Sequence, residues 1–241
     1  MTPRYLGLLG GMSWESTAEY YRLINTAVSA RRGGLHSAPL LIHSVDFAAI
    51  AQLQEQGDWA AAGALLADAA RGLEQAGARA LVLCTNTMHC VAPAIERAVS
   101  IPLLHIVDVT GAALQAAGIR RAGLLGTRYT MELPFWRERL EAHCNVELVV
   151  PPTEDRARVH RVIFEELCRG IVNEGSRAEY VAVIEGLAAQ GAEAVVLGCT
   201  EIGLLVRPSD SPLPAFDTTA LHVDAAVEFC LGDRQPGGRV T

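Results

Sequence analysis

The chain repeats itself, and this constrains its fold more than any other feature. "GLLGG" from Gly7 returns as "GLLGT" from Gly123, at an offset of 116. "GARALVLCTN" from Gly77 returns as "GAEAVVLGCT" from Gly191 at 114, and "IPLLH" from Ile101 returns as "LPAFD" from Leu213 at 112. One such match carries little weight, because apolar strands ending in glycine are common in α/β proteins. Three in the same order at nearly the same spacing mark an internal duplication. A chain of 241 residues built this way holds two similar units rather than one large sheet.

Short apolar runs alternate with helical patterns, which points to parallel sheets with helices on their faces. Strands are predicted at Tyr5–Gly10, Leu40–His43, Ala80–Leu83 and Leu103–His105, then at Ala122–Gly126, Val146–Val150, Ala194–Leu197 and Leu213–Phe216. Helices are predicted at Ser13–Arg31, Trp59–Gln75, Val159–Arg169 and Arg177–Gln190. The fold class is α/β: two pseudo-symmetric parallel-sheet domains with the active site expected in the cleft between them. Residues 1–106 with 218–241 form the first domain and 107–217 the second. A final helix, Thr219–Leu231, is expected to pack back on the first half, ahead of a frayed tail from Gly232 to Thr241.

Composition narrows the function. Half the residues are hydrophobic and a fifth charged, and 20 Lys and Arg against 27 Asp and Glu leave a formal charge of −7. Like charges form no block, so a nucleic-acid partner is not expected. No apolar stretch reaches membrane-spanning length, and the N-terminal run lacks a basic leader; the expectation is a soluble, cytoplasmic protein. Cysteines at 84, 90, 144, 168, 199 and 230 lack Cys-x-x-Cys spacing and suit reduced thiols better than disulfides.

Three loops carry candidate chemistry. In "GGMSWEST", Gly10 and Gly11 permit a tight turn and Ser13 suits a helix N-cap. It is not a dinucleotide fingerprint, because the Gly-x-Gly-x-x-Gly spacing is missing. "CTNTMH" from Cys84 and "GCTE" from Gly198 place thiols and small hydroxyls at strand ends before helical segments. Backbone N–H groups there favour anions, so a carboxylate could be held and a thiol could ionise more readily. "GTRYTM" from Gly126 duplicates the first loop; Thr127 and Thr130 are hydroxyl donors there, or equally a helix cap. Cys84, His89 and Cys90 lack a fourth ligand at matching spacing, so no metal site is expected.

Through "GLLGGMSWEST", "LVLCTNTMH", "LLGTRYTM", "IFEELCRG" and "GCTEI", the sequence resembles the aspartate/glutamate racemase family over nearly its whole length. It is most similar to that family's enterobacterial-type, broad-specificity amino-acid branch. The resemblance implies a small amino-acid substrate, no pyridoxal phosphate or other cofactor, no metal, and a homodimer. It also implies a two-base mechanism, in which one thiolate removes the α-proton and a thiol on the opposite face returns one. Asn86, Thr87, Thr127, Thr130 and Thr200 resemble the family's donors to the substrate carboxylate. Met12 joins them as a substrate contact, and Glu201 either meets the substrate ammonium or caps a helix.

The sequence departs from that pattern at its first catalytic position. The family reads Cys-Asn-Thr, but here Thr85 precedes Asn86 and Cys84 lies one residue earlier. The repeat offset of 114 aligns Thr85 with Cys199 and Cys84 with Gly198. A one-residue shift along a strand turns a side chain to the other face, so Thr85 is expected opposite Cys199. Cys84 remains the alternative if the loop bends. A thiol titrates near ~8.5 and can be tuned lower, so Cys199 suits a base, whereas a threonine hydroxyl is a far poorer one. Cys199 is therefore expected to act on the enantiomer it faces, which the family assigns as L, with weak turnover from the D side. His105 and Asp217, at equivalent strand ends, are candidates for orienting the acid–base groups.

Substrate choice is less constrained. Aspartate-specific relatives carry an arginine in a Pro-Asp-Arg-Thr stretch, where this chain reads "HSVDFAAI"; Arg169 is either a substitute charge or a solvent-facing helix end. Aspartate, glutamate and neutral polar amino acids all stay open. The alternatives are a related isomerase or decarboxylase (hydantoin racemase, maleate isomerase, malonate decarboxylase) and a non-catalytic amino-acid-binding protein.

Overall fold

The computed structural model describes residues 4–232. Strands β1 (Tyr5–Gly10), β2 (Leu40–Ser44), β3 (Ala78–Leu83) and β4 (Leu103–Leu104) form one sheet in the order β2-β1-β3-β4. Strands β5 (Arg121–Gly126), β6 (Glu147–Val149), β7 (Ala194–Gly198) and β8 (Ala215–Asp217) form a second in the order β6-β5-β7-β8. Every pairing in both sheets is parallel. The shared order is the duplication in three dimensions, and it makes this the two-domain α/β fold expected from the repeats.

In the first sheet, residue parity decides which core a side chain enters. Leu9, Leu81 and Leu83 pack with Ile50, Leu66 and Leu73. Leu6, Leu8, Ala80, Val82 and Cys84 pack on the other face with Tyr20, Ile24, Val223 and Val227. Both faces are covered, as parallel sheets require. The helices Trp14–Arg32 and Thr218–Leu231 supply the second cover, so the chain's last helix completes the first unit's core. Contacts divide the chain into a unit that runs to His105 and resumes at His222, and a unit of Ile106–Leu221. The second unit's core gathers around Leu124, Trp136, Tyr180 and Val196, and Tyr180 donates its hydroxyl to the Val159 carbonyl at 2.9 Å.

The helix expected at Val159–Arg169 is displaced. It starts at Thr153, just after Pro151 and Pro152, with Glu154 and Asp155 in its first turn, and it stops at Glu165. Prolines fix the entry and the acidic residues suit the positive N-terminal end. Glu166 follows as the C-cap and accepts a 2.6 Å hydrogen bond from the Ser176 hydroxyl, and Leu167–Arg169 form a 3-10 turn after it. The strand expected at Leu213–Phe216 begins later, at Ala215, because only Ala215, Phe216 and Asp217 pair with β7. The expected C-terminal tail lies outside the described residues, apart from Gly232.

Candidate active site

In the first unit, the loop after β1 is held by threonine. Thr17 Oγ1 accepts from the Gly11 N–H at 2.8 Å and donates to the Ser13 carbonyl at 2.9 Å. Ser13 caps the helix Trp14–Arg32 through Ser16 N–H. Gly11 has φ +92°, and a Cβ there would collide with the Val45 backbone, so only glycine fits this crossing. Met12, from the same loop, is buried in the apolar cluster of Leu9, Ile50 and Met88.

The second loop of this unit follows β3. Cys84 continues the ladder through its N–H to the Leu9 carbonyl at 2.9 Å. Its side chain is fully buried in the cluster with Ala80, Val82 and Tyr20. Burial alone pushes its thiol far above the ordinary range, so it stays protonated and inert. Thr85, one residue on, is only part-buried. Its N–H bonds the Leu83 carbonyl at 2.8 Å, and its own carbonyl accepts from His89 Nδ1 at 2.8 Å. Asn86 and Thr87 follow, both buried, at the start of the 3-10 turn Thr87–Val91.

The second unit carries the duplicate loops. Thr127 caps the short helix Arg128–Glu132 by accepting from Thr130 N–H at 3.2 Å, and the two threonine hydroxyls meet at 3.1 Å. Thr130 is fully buried, so this pair forms a helix cap as well as a candidate donor set. After β7, Gly198 occupies the position equivalent to Cys84. A Cβ there would stand 2.9 Å from both the Leu125 carbonyl oxygen and Leu124 Cδ1, so no side chain fits.

Cys199 comes next and is part-buried, with Thr200 and Glu201 part-buried after it. The Cys199 thiol donates to Glu201 Oε2 at 2.9 Å. Burial, then the charge of Glu201, then this hydrogen bond hold the thiol well above its ordinary range. This corrects the expectation of a thiol tuned downward. The helix that follows, Ile202–Leu205, has four residues and offers little dipole, while the nearest charged partner is negative. At rest, Cys199 is therefore a thiol hydrogen-bonded to a carboxylate.

Asp217 ends β8 and accepts from the Thr219 and Ala220 N–H groups at 2.8 and 3.1 Å, capping the last helix. His105 is buried beside His89, with ring centroids 4.6 Å apart. The segment "HSVDFAAI" ends β2 and begins the helix Phe47–Gln56, which Asp46 caps through Ala48 N–H. Arg169 is exposed. Sequence reasoning missed the Cys199–Glu201 contact, although a spacing of two residues after a strand end was a usable signal. It also missed the partnership of His222 with Tyr20 and His89, for which no local signal exists. Among the described residues, all six cysteines are free and no group of three or more His, Cys, Asp or Glu side chains is arranged to hold a metal. No described helix is long and apolar enough to cross a membrane.

Two units of identical strand order, each with a hydroxyl- or thiol-bearing loop at a strand end, form a duplicated α/β protein, and its relatives are isomerases of the racemase class. The chain belongs to the Asp/Glu/Hydantoin racemase family, whose model matches residues 9–226. It is similar to a candidate Asp/Glu racemase from Yersinia pestis at 53% identity, with a TM-score of 0.89 over 95% of this chain and 99% of that one. An aspartate racemase homologue from Pyrococcus horikoshii is 31% identical, with a TM-score of 0.82 over 95% and 99%. The broad-specificity amino-acid racemase RacX of Bacillus subtilis is 24% identical over 68% of this chain and 70% of its own length.

Proposed function

We propose that this protein is a cofactor-independent amino-acid racemase in which Cys199 and Thr85 act on opposite faces of the substrate α-carbon. The observation that carries the proposal is the hydrogen bond from the Cys199 thiol to Glu201, because it sets a proton acceptor against the sulfur, to which the proton can pass once a bound substrate ammonium offsets the carboxylate's charge. Glu201 takes the thiol proton, and the thiolate then removes the α-proton and becomes a thiol again. The carbanion is protonated on its other face by the Thr85 hydroxyl, which water reprotonates, and the proton held by Glu201 returns to solvent. Bond changes and charge then balance.

Removal of a proton beside a carboxylate requires stabilisation of developing negative charge. Asn86, Thr87, Thr127, Thr130 and Thr200 are proposed as that carboxylate's hydrogen-bond donors, with Met12 as an apolar wall behind the first loop. The substrate ammonium, once bound near Glu201 and Cys199, favours the thiolate that burial disfavours in the free protein.

Cys199 has a hydrogen-bonded carboxylate partner in Glu201 and Thr85 has only a hydroxyl, so α-proton exchange is proposed to run faster from the L enantiomer. Catalysis leaves the equilibrium constant near ~1, so this asymmetry is kinetic. Cys84, whose thiol points into the core, has no part in the proposal. Aspartate, glutamate and neutral polar amino acids are the substrate candidates.

The test is a panel of L and D amino acids in deuterated buffer, following α-proton exchange and inversion together. Exchange faster from L than from D, and a loss of about 10³-fold in Cys199→Ser, are expected. Equal exchange from both enantiomers sinks the asymmetry. Normal turnover by the serine variant sinks the mechanism, and tight binding without exchange would mark a non-catalytic amino-acid-binding protein.

A further inference from the structure

Thr85 sits on a buried network of three imidazoles and a phenol, all within the first unit. His89, His105 and His222 are each at least nine-tenths buried. The His89 ring stands edge-on to His105 at 4.6 Å and to His222 at 5.7 Å between centroids. Hydrogen-bond chemistry fixes where the protons lie. His222 Nε2 is 2.6 Å from the Leu104 carbonyl oxygen, which can only accept, so Nε2 carries the proton. His222 Nδ1 then accepts from the Tyr20 hydroxyl at 2.9 Å. By the same argument, His89 carries a proton on Nδ1 and donates it to the Thr85 carbonyl.

Three buried imidazoles are an expensive way to fill space, since apolar side chains would pack there without desolvating polar atoms. What they provide is a rigid backbone at Thr85. His89 holds the Thr85 carbonyl, the Ser16 hydroxyl holds the Cys84 carbonyl at 3.1 Å, and the Leu83 carbonyl holds the Thr85 N–H. A β-branched side chain has few χ1 choices, so fixing the Thr85 backbone fixes the direction of its hydroxyl.

We propose that His89 is a positioning residue for this reaction: its Nδ1–H, braced by the His105 and His222 rings, aims the Thr85 hydroxyl at the α-carbon. The proposal rests on the reading that Thr85 returns the proton. It predicts a separation that a merely structural role would not produce. Proton removal by Cys199 requires nothing of Thr85, so α-proton exchange from the L substrate should survive loss of His89 while inversion fails.

The experiment compares wild type, His89→Phe, which keeps volume and loses the donor, and His89→Asn, whose amide N–H stands where Nδ1 stood. Exchange and inversion are followed together in deuterated water, with histidine nitrogen NMR alongside. Wild type should show protonated Nδ1 on His89 and protonated Nε2 on His222. Inversion by His89→Phe should fall about 10²-fold with KM little changed and exchange kept, and His89→Asn should recover most of the loss. If His89→Phe does not fold, a folded His89→Asn that inverts slowly overturns the proposal on its own. Equal loss of exchange and inversion, or unchanged inversion in the phenylalanine variant, also overturns it. A wild type that inverts no amino acid, with the His89 tautomer as expected, removes the racemase reading itself and the positioning role with it; failure of the variants alone removes only the latter.

Discussion

The two strand-end loops, after β3 and after β7, are copies of one design that differ by one position in where the sulfur falls. In the first, Cys84 takes the inward position and packs among Ala80, Val82 and Tyr20, leaving Thr85 part-exposed. In the second, Gly198 takes the inward position because Leu124 and Leu125 leave no room, and Cys199 is the part-exposed residue. The supports differ as well. Cys199 has a carboxylate partner two residues away, whereas Thr85 has its backbone tied to a buried histidine network. One duplicated scaffold thus carries a thiol–carboxylate hydrogen bond in one unit and a backbone-tied hydroxyl in the other. Duplication conserves geometry, and a single register position decides whether sulfur is buried or part-exposed.

Acid should separate the two units most sharply. Burial holds His222 down at about 4, and its protonation would place a second N–H against the Tyr20 hydroxyl. Unfolded, this histidine titrates near ~6.5, so between these values the unfolded chain binds the extra proton and stability rises with pH. The contribution is complete above the unfolded value and is lost as pH falls towards the folded one, a change of about 3 kcal/mol. Hydrogen exchange followed down this range should show the first unit opening before the second. Simultaneous opening would mean that the histidine network does not set the first unit's acid stability.

Replacing Glu201 by Gln should come next in size. The variant keeps a hydrogen-bonding side chain but loses the charge and the proton acceptor, so turnover should fall about 10²-fold. Its Cys199 should titrate lower than in wild type, because the carboxylate charge that raises it is gone. Thiolate absorbance against pH reports this directly, and an unmoved titration would show that Glu201 does not govern the thiol.

Thr85→Cys sharpens the comparison from the other side by giving the first loop a thiol where the second has one. Exchange from the D enantiomer should rise about ten-fold, bringing the two directions closer. No rise would mean that the hydroxyl position is not the one that meets the α-carbon. Cys84→Ala should have the smallest effect, about 1 kcal/mol of stability from the cavity it leaves, with kinetics unchanged. A kinetic defect in that variant would mean that Cys84 reaches the substrate after all.

Much of this was legible in the sequence because its signals are local. The helix Trp59–Gln75 lies where the apolar spacing places it, and β1 spans the residues its composition marks. The repeat offset predicted two similar parallel sheets, and the two sheets share one strand order. The helix expected at Val159–Arg169 runs over Thr153–Glu165 instead: its start follows Pro151 and Pro152, and the Glu166 carboxylate just past its end is held by Ser176, a contact that no window around residue 160 contains. The state of Cys199 was misjudged for a similar reason. Its chain position suggested N–H groups near the sulfur, but the folded loop brings a carboxylate.

By itself the sequence determined the duplication, through its repeat offsets, and the parallel architecture, through short apolar runs alternating with helical patterns, because both signals lie along the chain. The tertiary structure alone decided what surrounds the reactive groups. Tyr20 and His222 lie 202 positions apart, and His222 meets Leu104 across 118. Such a network exists only after the last helix has packed into the first unit, since hydrogen bonds between distant residues leave no period in the chain to read.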